Sequence, residues 1–347
     1  MKVERSIRME RAWNWKTFFF QWEWLLVLIF IAILVINSGI SSYFFSLDTF
    51  INTPMTFLDK AFLVLPMTMV IILGNIDISV ASTVALSAVI MAVTFNAGLP
   101  MPLAILLCLV VATTCGLING FLMTKFKELS SVIVTLATMI IFRGIAYVIL
   151  EDQASGKFPT WYSALGWGSV GGIPIMVIAF VLCAVGFGIL LHKTTFGRTI
   201  YGMGSNLTAS RYSGVKTDSV IIIVSVLTGL MAGFTALFLT SRMGSTRPNV
   251  AQGYELEVIA MVVLGGVSTS GGKGRIGGPI LAIFIIGFLN YGLGLINISA
   301  QVLLIIVGLL LIFSVLILNV RFRGRYQRSL PASATVAVGE QSNDKTP

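Results

Sequence analysis

From Trp22 onward the chain is a succession of apolar runs, each about as long as a lipid bilayer's hydrocarbon core is thick, joined by short polar punctuation. A helix needs about 20 apolar residues to cross that core. Lipid offers backbone N–H and C=O groups no partners, so such runs fold as helices that satisfy their own hydrogen bonds. The runs lie roughly at 22–40, 57–73, 78–95, 101–124, 130–150, 172–192, 219–241, 254–268, 276–296 and 299–320. The expectation is an all-α, polytopic membrane protein with about ten transmembrane helices. Its single transmembrane domain covers 22–320, between an N-terminal segment 1–21 and a tail 321–347. Only 11% of the residues are charged, against roughly 25% in soluble domains, which leaves little chain for a soluble domain.

Ten spans put both termini on one side. With the N-terminus inside, 18 of the 23 Lys and Arg residues fall in cytoplasmic segments. Four, among them Lys60 and Arg242, fall on the opposite face, and Arg143 lies within a span. This is the positive-inside asymmetry, so both termini are expected to be cytoplasmic. The net charge of +9 then reports topology and calls for no nucleic-acid partner. The N-terminal segment lacks a small-residue cleavage site and reads as an uncleaved signal anchor. Trp13, Trp15, Trp22 and Trp24 suit the headgroup layer of the bilayer. The tail after Leu330 is small and polar enough to be disordered.

Cys108, Cys115 and Cys183 lie in apolar runs with no CxxC spacing, and His192 is the single histidine, so no metal and no cofactor is expected. No nucleophile–base pair appears, so the chain does not read as an enzyme. The glycine-rich GGVSTSGGKGR is not a phosphate loop. That pattern needs Gly at 267, which is Val, and Ser or Thr at 274, which is Gly. The GxxxG pairs Gly116–Gly120 and Gly229–Gly233 favour close helix packing inside one subunit.

Polar groups inside spans are functional candidates, because hydrocarbon tolerates few of them. The segment GNIDISVAS at 74–82 breaks an apolar stretch with Asn75, Asp77, Ser79 and Ser82. Gly74 permits a reversal, and Asp77 and Ser79 can cap the next helix. Hydroxyls there equally suit a path for a neutral polyhydroxylated solute. Thr135, Thr138 and Arg143 add polar groups to the fifth run, where Arg143 is expected to tie backbone carbonyls or contact solute. The connection HKTTFGRTIYGMGSNLTASRYSGVKTDS is long for an idle loop. Its SNLTASRYSG predicts a short helix that starts at Ser205 or Asn206 and ends at Gly214. Such a helix reads as a docking element for a soluble partner or as an amphipathic connector.

Four segments resemble one family. GNIDISVAS resembles the GGIDLSVGS motif of sugar-type ABC importer permeases, those of ribose, galactose, rhamnose or autoinducer-2. GRTIYGMGSNLTASRYSGV is similar to that family's GRxxYAxGxNxxAARxSGI loop. GYELEVIAMVVLGGVSTSGGKGRIGG resembles its GxELxxIAAxVLGGTSLxGGxG block, and TLATMIIFRGIAY its TLGTMxIxRGxAY segment. The runs VLPMTMVI and GLPMPLAILL look closest to the rhamnose and autoinducer-2 branches.

The resemblance implies a permease subunit in a bacterial plasma membrane. Its implied partners are cytoplasmic ABC ATPase subunits, an extracytoplasmic solute-binding protein, and a second permease subunit, identical or paralogous. Gly197, Arg198, Tyr201, Gly204, Asn206, Arg211 and Gly214 match the family's loop and become the ATPase coupling loop. Glu255, Gly265, Gly266, Gly271 and Gly272 carry the glycine-rich motif. Asn75, Ala81 and Ala137 stand where the family pattern has Gly, which makes the path here narrower and more polar. An ion-coupled sugar carrier is the alternative, and the scarcity of intramembrane acids counts against it.

Overall fold

In the computed structural model, the residues described are 22–40 and 44–298, with 302, 305, 306, 308, 309 and 312. The segments 1–21 and 321–347 and nearly all of the tenth run, 299–320, lie outside the described residues. What is described is almost wholly helical. The helices are α1 (Trp22–Ile40), α2 (Leu47–Asn52), α3 (Leu58–Ile72), α4 (Val80–Asn96), α5 (Met101–Lys125), α6 (Ser131–Leu150) and α7 (Thr160–Trp167). They continue as α8 (Ile175–Lys193), α9 (Thr195–Ser205), α10 (Leu207–Tyr212), α11 (Thr217–Met243), α12 (Tyr254–Leu264) and α13 (Gly277–Leu295). Two short antiparallel pairs stand beside them: β1 (Ser155–Gly156) with β4 (Ser245–Thr246), and β2 (Ser169–Val170) with β3 (Ile173–Pro174).

Among the described residues, six helices are long and apolar enough to cross a membrane: α1, α5, α6, α8, α11 and α13. A seventh span arises if residues 49–72 count as one, bent by 65° where the 3₁₀ turn Thr53–Thr56 meets α3. The runs at 78–95 and 254–268 therefore do not become full-length straight spans. At 1.5 Å per residue, α4 and α12 reach only about 25 and 16 Å. Glycines set these limits: Gly74 (φ +82) precedes α4 and Gly266 (φ +88) follows α12.

Shortness is tolerable because these helices are interior. All 15 residues of α3 are buried, as are Val258 and Ala260–Leu264 of α12. The lipid-length helices α5, α6 and α8 instead leave large apolar side chains such as Leu106, Ile140 and Leu182 exposed. A central α3 thus packs against α8, α11, α12 and α13, while α4 packs against α5, α6 and α11.

The two GxxxG patterns meet each other. A Cβ on Gly116 would lie 3.0 Å from the Gly229 Cα, and one on Gly120 would lie 2.9 Å from the Ile222 Cα. The α5–α11 crossing is therefore backbone against backbone within one chain.

Candidate functional site

Three sequence features that are far apart in the chain converge at one end of α3. The Ile72 carbonyl at its C-terminus accepts the Gly272 N–H at 2.8 Å. Gly204, at the end of α9, packs against the same carbonyl and against the Gly272 nitrogen. A Cβ on Gly271 (φ +80) would lie 2.8 Å from the Gly204 oxygen and 3.1 Å from the Gly74 nitrogen. The Tyr201 hydroxyl donates to the Gly274 carbonyl at 2.8 Å. Burial pushes the Tyr201 phenol above its usual range, against the effect of nearby Arg275, so it stays a donor. The polar break, the α9–α10 loop and the glycine-rich motif thus form one knot, close enough that only glycine fits at its crossing points.

Within the break, backbone donors find side-chain partners. Asp77 is buried, and its Oδ1 accepts the Ser79 N–H at 2.9 Å and the Ser79 hydroxyl at 2.7 Å. Ser79 holds the N-cap position of α4 but makes no capping bond, contrary to the capping expected of it. Its own backbone is already helical (φ −76, ψ −7), so the hydroxyl faces back to Asp77 instead of forward along the helix. Asn119 of α5 donates to the Ser79 hydroxyl at 2.6 Å, and its buried Oδ1 has no partner among the described residues.

From α6, Ser131 and Thr135 accept the Ile76 and Ile78 N–H groups, each at 3.2 Å. Ser82 and Thr138 donate to the carbonyls of Ser79 and Thr135, three residues back. Asn75 lines a small void with Val70, Met123 and Ser225, and its N–H donates to Val70. The structure therefore groups Asn75, Asp77, Ser79, Ser82 and Thr135, with Thr138 one turn on, held by hydrogen bonds to one another and to neighbouring residues of the break, α5 and α6. Removing the Asp77 acceptor strands a buried N–H and hydroxyl, at about 1–3 kcal/mol. Asp77→Ala is accordingly expected to lower the melting temperature in detergent, whereas Asp77→Asn, which keeps an acceptor, changes it far less.

Arg143 lies apart from that group, two turns beyond Thr135. It donates to the Pro248 and Val250 carbonyls at 2.6 and 2.7 Å, a backbone tie of the kind expected. In the α9–α10 loop, Thr194 caps α9 by accepting the Gly197 N–H at 3.2 Å, and Gly197 packs on the Leu191 carbonyl. Asn206 caps α10 by accepting the Ala209 N–H at 2.8 Å, and Gly214 ends the turn at φ +84. The short helix lies where the sequence puts it. Arg198 and Arg211 are exposed, Arg211 within 3.6 Å of Asp218, and Tyr212 is 90% exposed. In the glycine-rich motif, Gly265 sits against Gly278 and Pro279, Gly266 against the Trp22 ring, and Trp22 donates to the Leu264 carbonyl at 2.8 Å. Glu255 has a buried Oε2 without a partner among the described residues.

Sequence reasoning missed a charged network at the other end of α3. Asp59 pairs with Arg242 at 2.7 Å and accepts the Tyr254 hydroxyl at 3.3 Å. Lys60 pairs with Glu257 and lies 5.0 Å above the Tyr254 ring. In the sequence Lys60 counts only as a charge on the opposite face and Asp59 is not singled out, although both fall within the run 57–73. The available signal was that two charges abut the apolar run with no turn residue between. Among the described residues no group of His, Cys, Asp and Glu is arranged to hold a metal.

Residues 49–315 match a family described as the permease component of branched-chain amino acid transport systems. The chain is 40% identical over 253 residues to the ribose import permease protein RbsC of Bacillus subtilis (strain 168), which covers 72% of this chain and 78% of that one. It is 33% identical to the autoinducer 2 import system permease protein LsrD of Escherichia coli (strain K12), over 84% of this chain and 90% of that one. The LsrD of Yersinia enterocolitica is also 33% identical, over 82% and 88%. No solved structure matches.

Proposed function

The chain belongs to the family of branched-chain amino acid transport permease components, and from that premise we propose that it is the membrane subunit through which an ATP-driven importer takes up a monosaccharide or a similar small polyol. It is a non-catalytic permease of the ribose and autoinducer-2 type. ATP hydrolysis belongs to cytoplasmic ATPase subunits, solute capture to an extracytoplasmic binding protein, and the pore to this chain with a second permease subunit. The reading includes ten spans, with both termini cytoplasmic, in a bacterial plasma membrane. Within the substrate class it favours rhamnose or autoinducer-2.

The observation that carries this reading is the knot at Ile72, Gly204 and Gly272. A loop that docks on an ATPase can drive transport only if its displacement reaches the membrane interior. Here α9 bears directly on the C-terminus of α3 and, through Gly271, on the Gly74 break. Two states of that packed element are what alternating access needs. Asn75, Asp77, Ser79, Ser82, Thr135 and Thr138 then border the path at its cytoplasmic end, and Arg143 braces it further out.

The test is ATPase activity of the complex reconstituted with its ATPase and binding protein, screened over pentoses, deoxyhexoses and autoinducer-2. Stimulation by one of these solutes, dependent on the binding protein, is expected. Uptake that survives ATP depletion and loss of the binding protein would instead establish an ion-coupled carrier.

A further inference from the structure

The charged network at the N-terminal end of α3 joins three helices: Asp59 and Lys60 of α3, Arg242 of α11, and Tyr254 and Glu257 of α12. The four charged side chains are at most 19% exposed, so both ion pairs lie in a largely dry setting. Buried pairs of this kind contribute little net stability, because desolvation offsets most of their attraction. An apolar contact would bind α12 to α3 at least as well, but separating it in water would carry the full hydrophobic cost. Charges that part into water regain their hydration. An ion pair therefore suits a contact that must open and close.

The helix it holds has the form of a moving part. α12 is an 11-residue rod bounded by two left-handed glycines, Gly253 (φ +90) and Gly266 (φ +88). Its preceding segment is tied elsewhere, by Arg143 to the Pro248 and Val250 carbonyls. At its far end the glycine-rich motif touches α9 and the end of α3. Among the described contacts, Lys60–Glu257 is thus the ion pair that fastens this hinged rod to α3, and the Tyr254 hydroxyl on Asp59 adds to it.

We propose that Lys60–Glu257, with the Tyr254 hydroxyl on Asp59, forms the outer closure of the translocation path, pinning α12 to α3 while the outer mouth is shut and parting when it opens, with Asp59–Arg242 holding α3 to α11 beside it. This rests on the importer reading, which puts this end of α3 outside. Lys60, Glu257 and Asp59 are positioning residues on this account, since they act through α12, and Arg242 acts through Asp59.

The test uses the full chain in right-side-out membrane vesicles, with Cys108→Ala, Cys115→Ala and Cys183→Ala, and with Val258→Cys as reporter. Val258 is fully buried on α12. A membrane-impermeant maleimide reports its exposure from outside, and inverted vesicles report the other face. Glu257→Gln is expected to raise the outside labelling rate about tenfold. The exchange of Lys60→Glu with Glu257→Lys should bring it back to within about twofold of the parent. If Glu257→Gln does not elute as a monodisperse species, Lys60→Gln, which breaks the same pair, takes its place with the same expected rise. Equal rates in parent and single variant, or an exchange that labels as fast as the single variant, would overturn the closure. A rise seen only in inverted vesicles would overturn the importer orientation, and the proposal with it.

Discussion

Gly229→Val is expected to insert into membranes and yet lose its monodisperse peak on size-exclusion in mild detergent. The α5–α11 crossing leaves no room for it. A Cβ on Gly229 falls onto the Ala112 carbonyl oxygen and lies 3.0 Å from both the Cα and the nitrogen of Gly116. All three are backbone atoms, so no rotamer change relieves the clash and the two helices must move apart. Helix association in lipid rests on close van der Waals packing, with no hydrophobic term to compensate a gap. Overpacking costs roughly 1–3 kcal/mol at one site, and here the separation spreads along the whole crossing. Gly186→Val is the matched control. That glycine faces outward from α8 with nothing within 4 Å of a Cβ, and its effect is expected to stay within about 0.5 kcal/mol. Equal behaviour of the two variants would remove the crossing from what stabilises this fold.

That crossing was legible in the sequence because GxxxG states a local geometric property. So were α5, α6, α8, α11 and α13, whose apolar runs are long enough for the bilayer alone to dictate a helix. The start of α10 at Asn206 and its end before Gly214 were legible for the same reason, since caps act within one turn. Length alone failed where burial in protein replaces burial in lipid. The runs holding α4 and α12 look like spans by composition, but glycine breaks shorten them and neighbouring helices supply the apolar surroundings. α9 looks like loop in the sequence because its small and polar residues hide a buried face of Gly197, Ile200 and Met203. The ion pairs were out of reach for another reason: Asp59 and Arg242 are 183 residues apart, and Lys60 and Glu257 are 197. No local pattern connects charges at that separation. The GNIDISVAS break lies between these extremes. Its reversal at Gly74 follows from local chemistry, whereas its partners Ser131, Thr135 and Asn119 come from two other helices.

Gly204→Ala is expected to leave a folded, inserted chain that no longer converts ATP hydrolysis into uptake. The added methyl falls onto the Ile72 carbonyl oxygen and 2.5 Å from the Gly272 nitrogen, where the Gly272 N–H donates to that same carbonyl. α9 must back away from α3, and the contact by which the loop reaches the membrane interior is lost. Uptake should fall at least about tenfold, as expected when a packed two-state element is disengaged, with solute-stimulated ATPase activity reduced and basal activity retained. Gly202→Ala, two residues earlier in the same helix, meets only the Ser210 hydroxyl at 3.6 Å and should transport normally. Arg211→Ala separates the two sides of the loop. Its guanidinium is exposed beside Thr217 and Asp218, so its loss costs the fold little. Uncoupling by Arg211→Ala therefore reports contact with the ATPase, and uncoupling by Gly204→Ala reports transmission inside this chain. Normal uptake with normal ATPase stimulation in both variants would remove the α9–α10 loop from the coupling route.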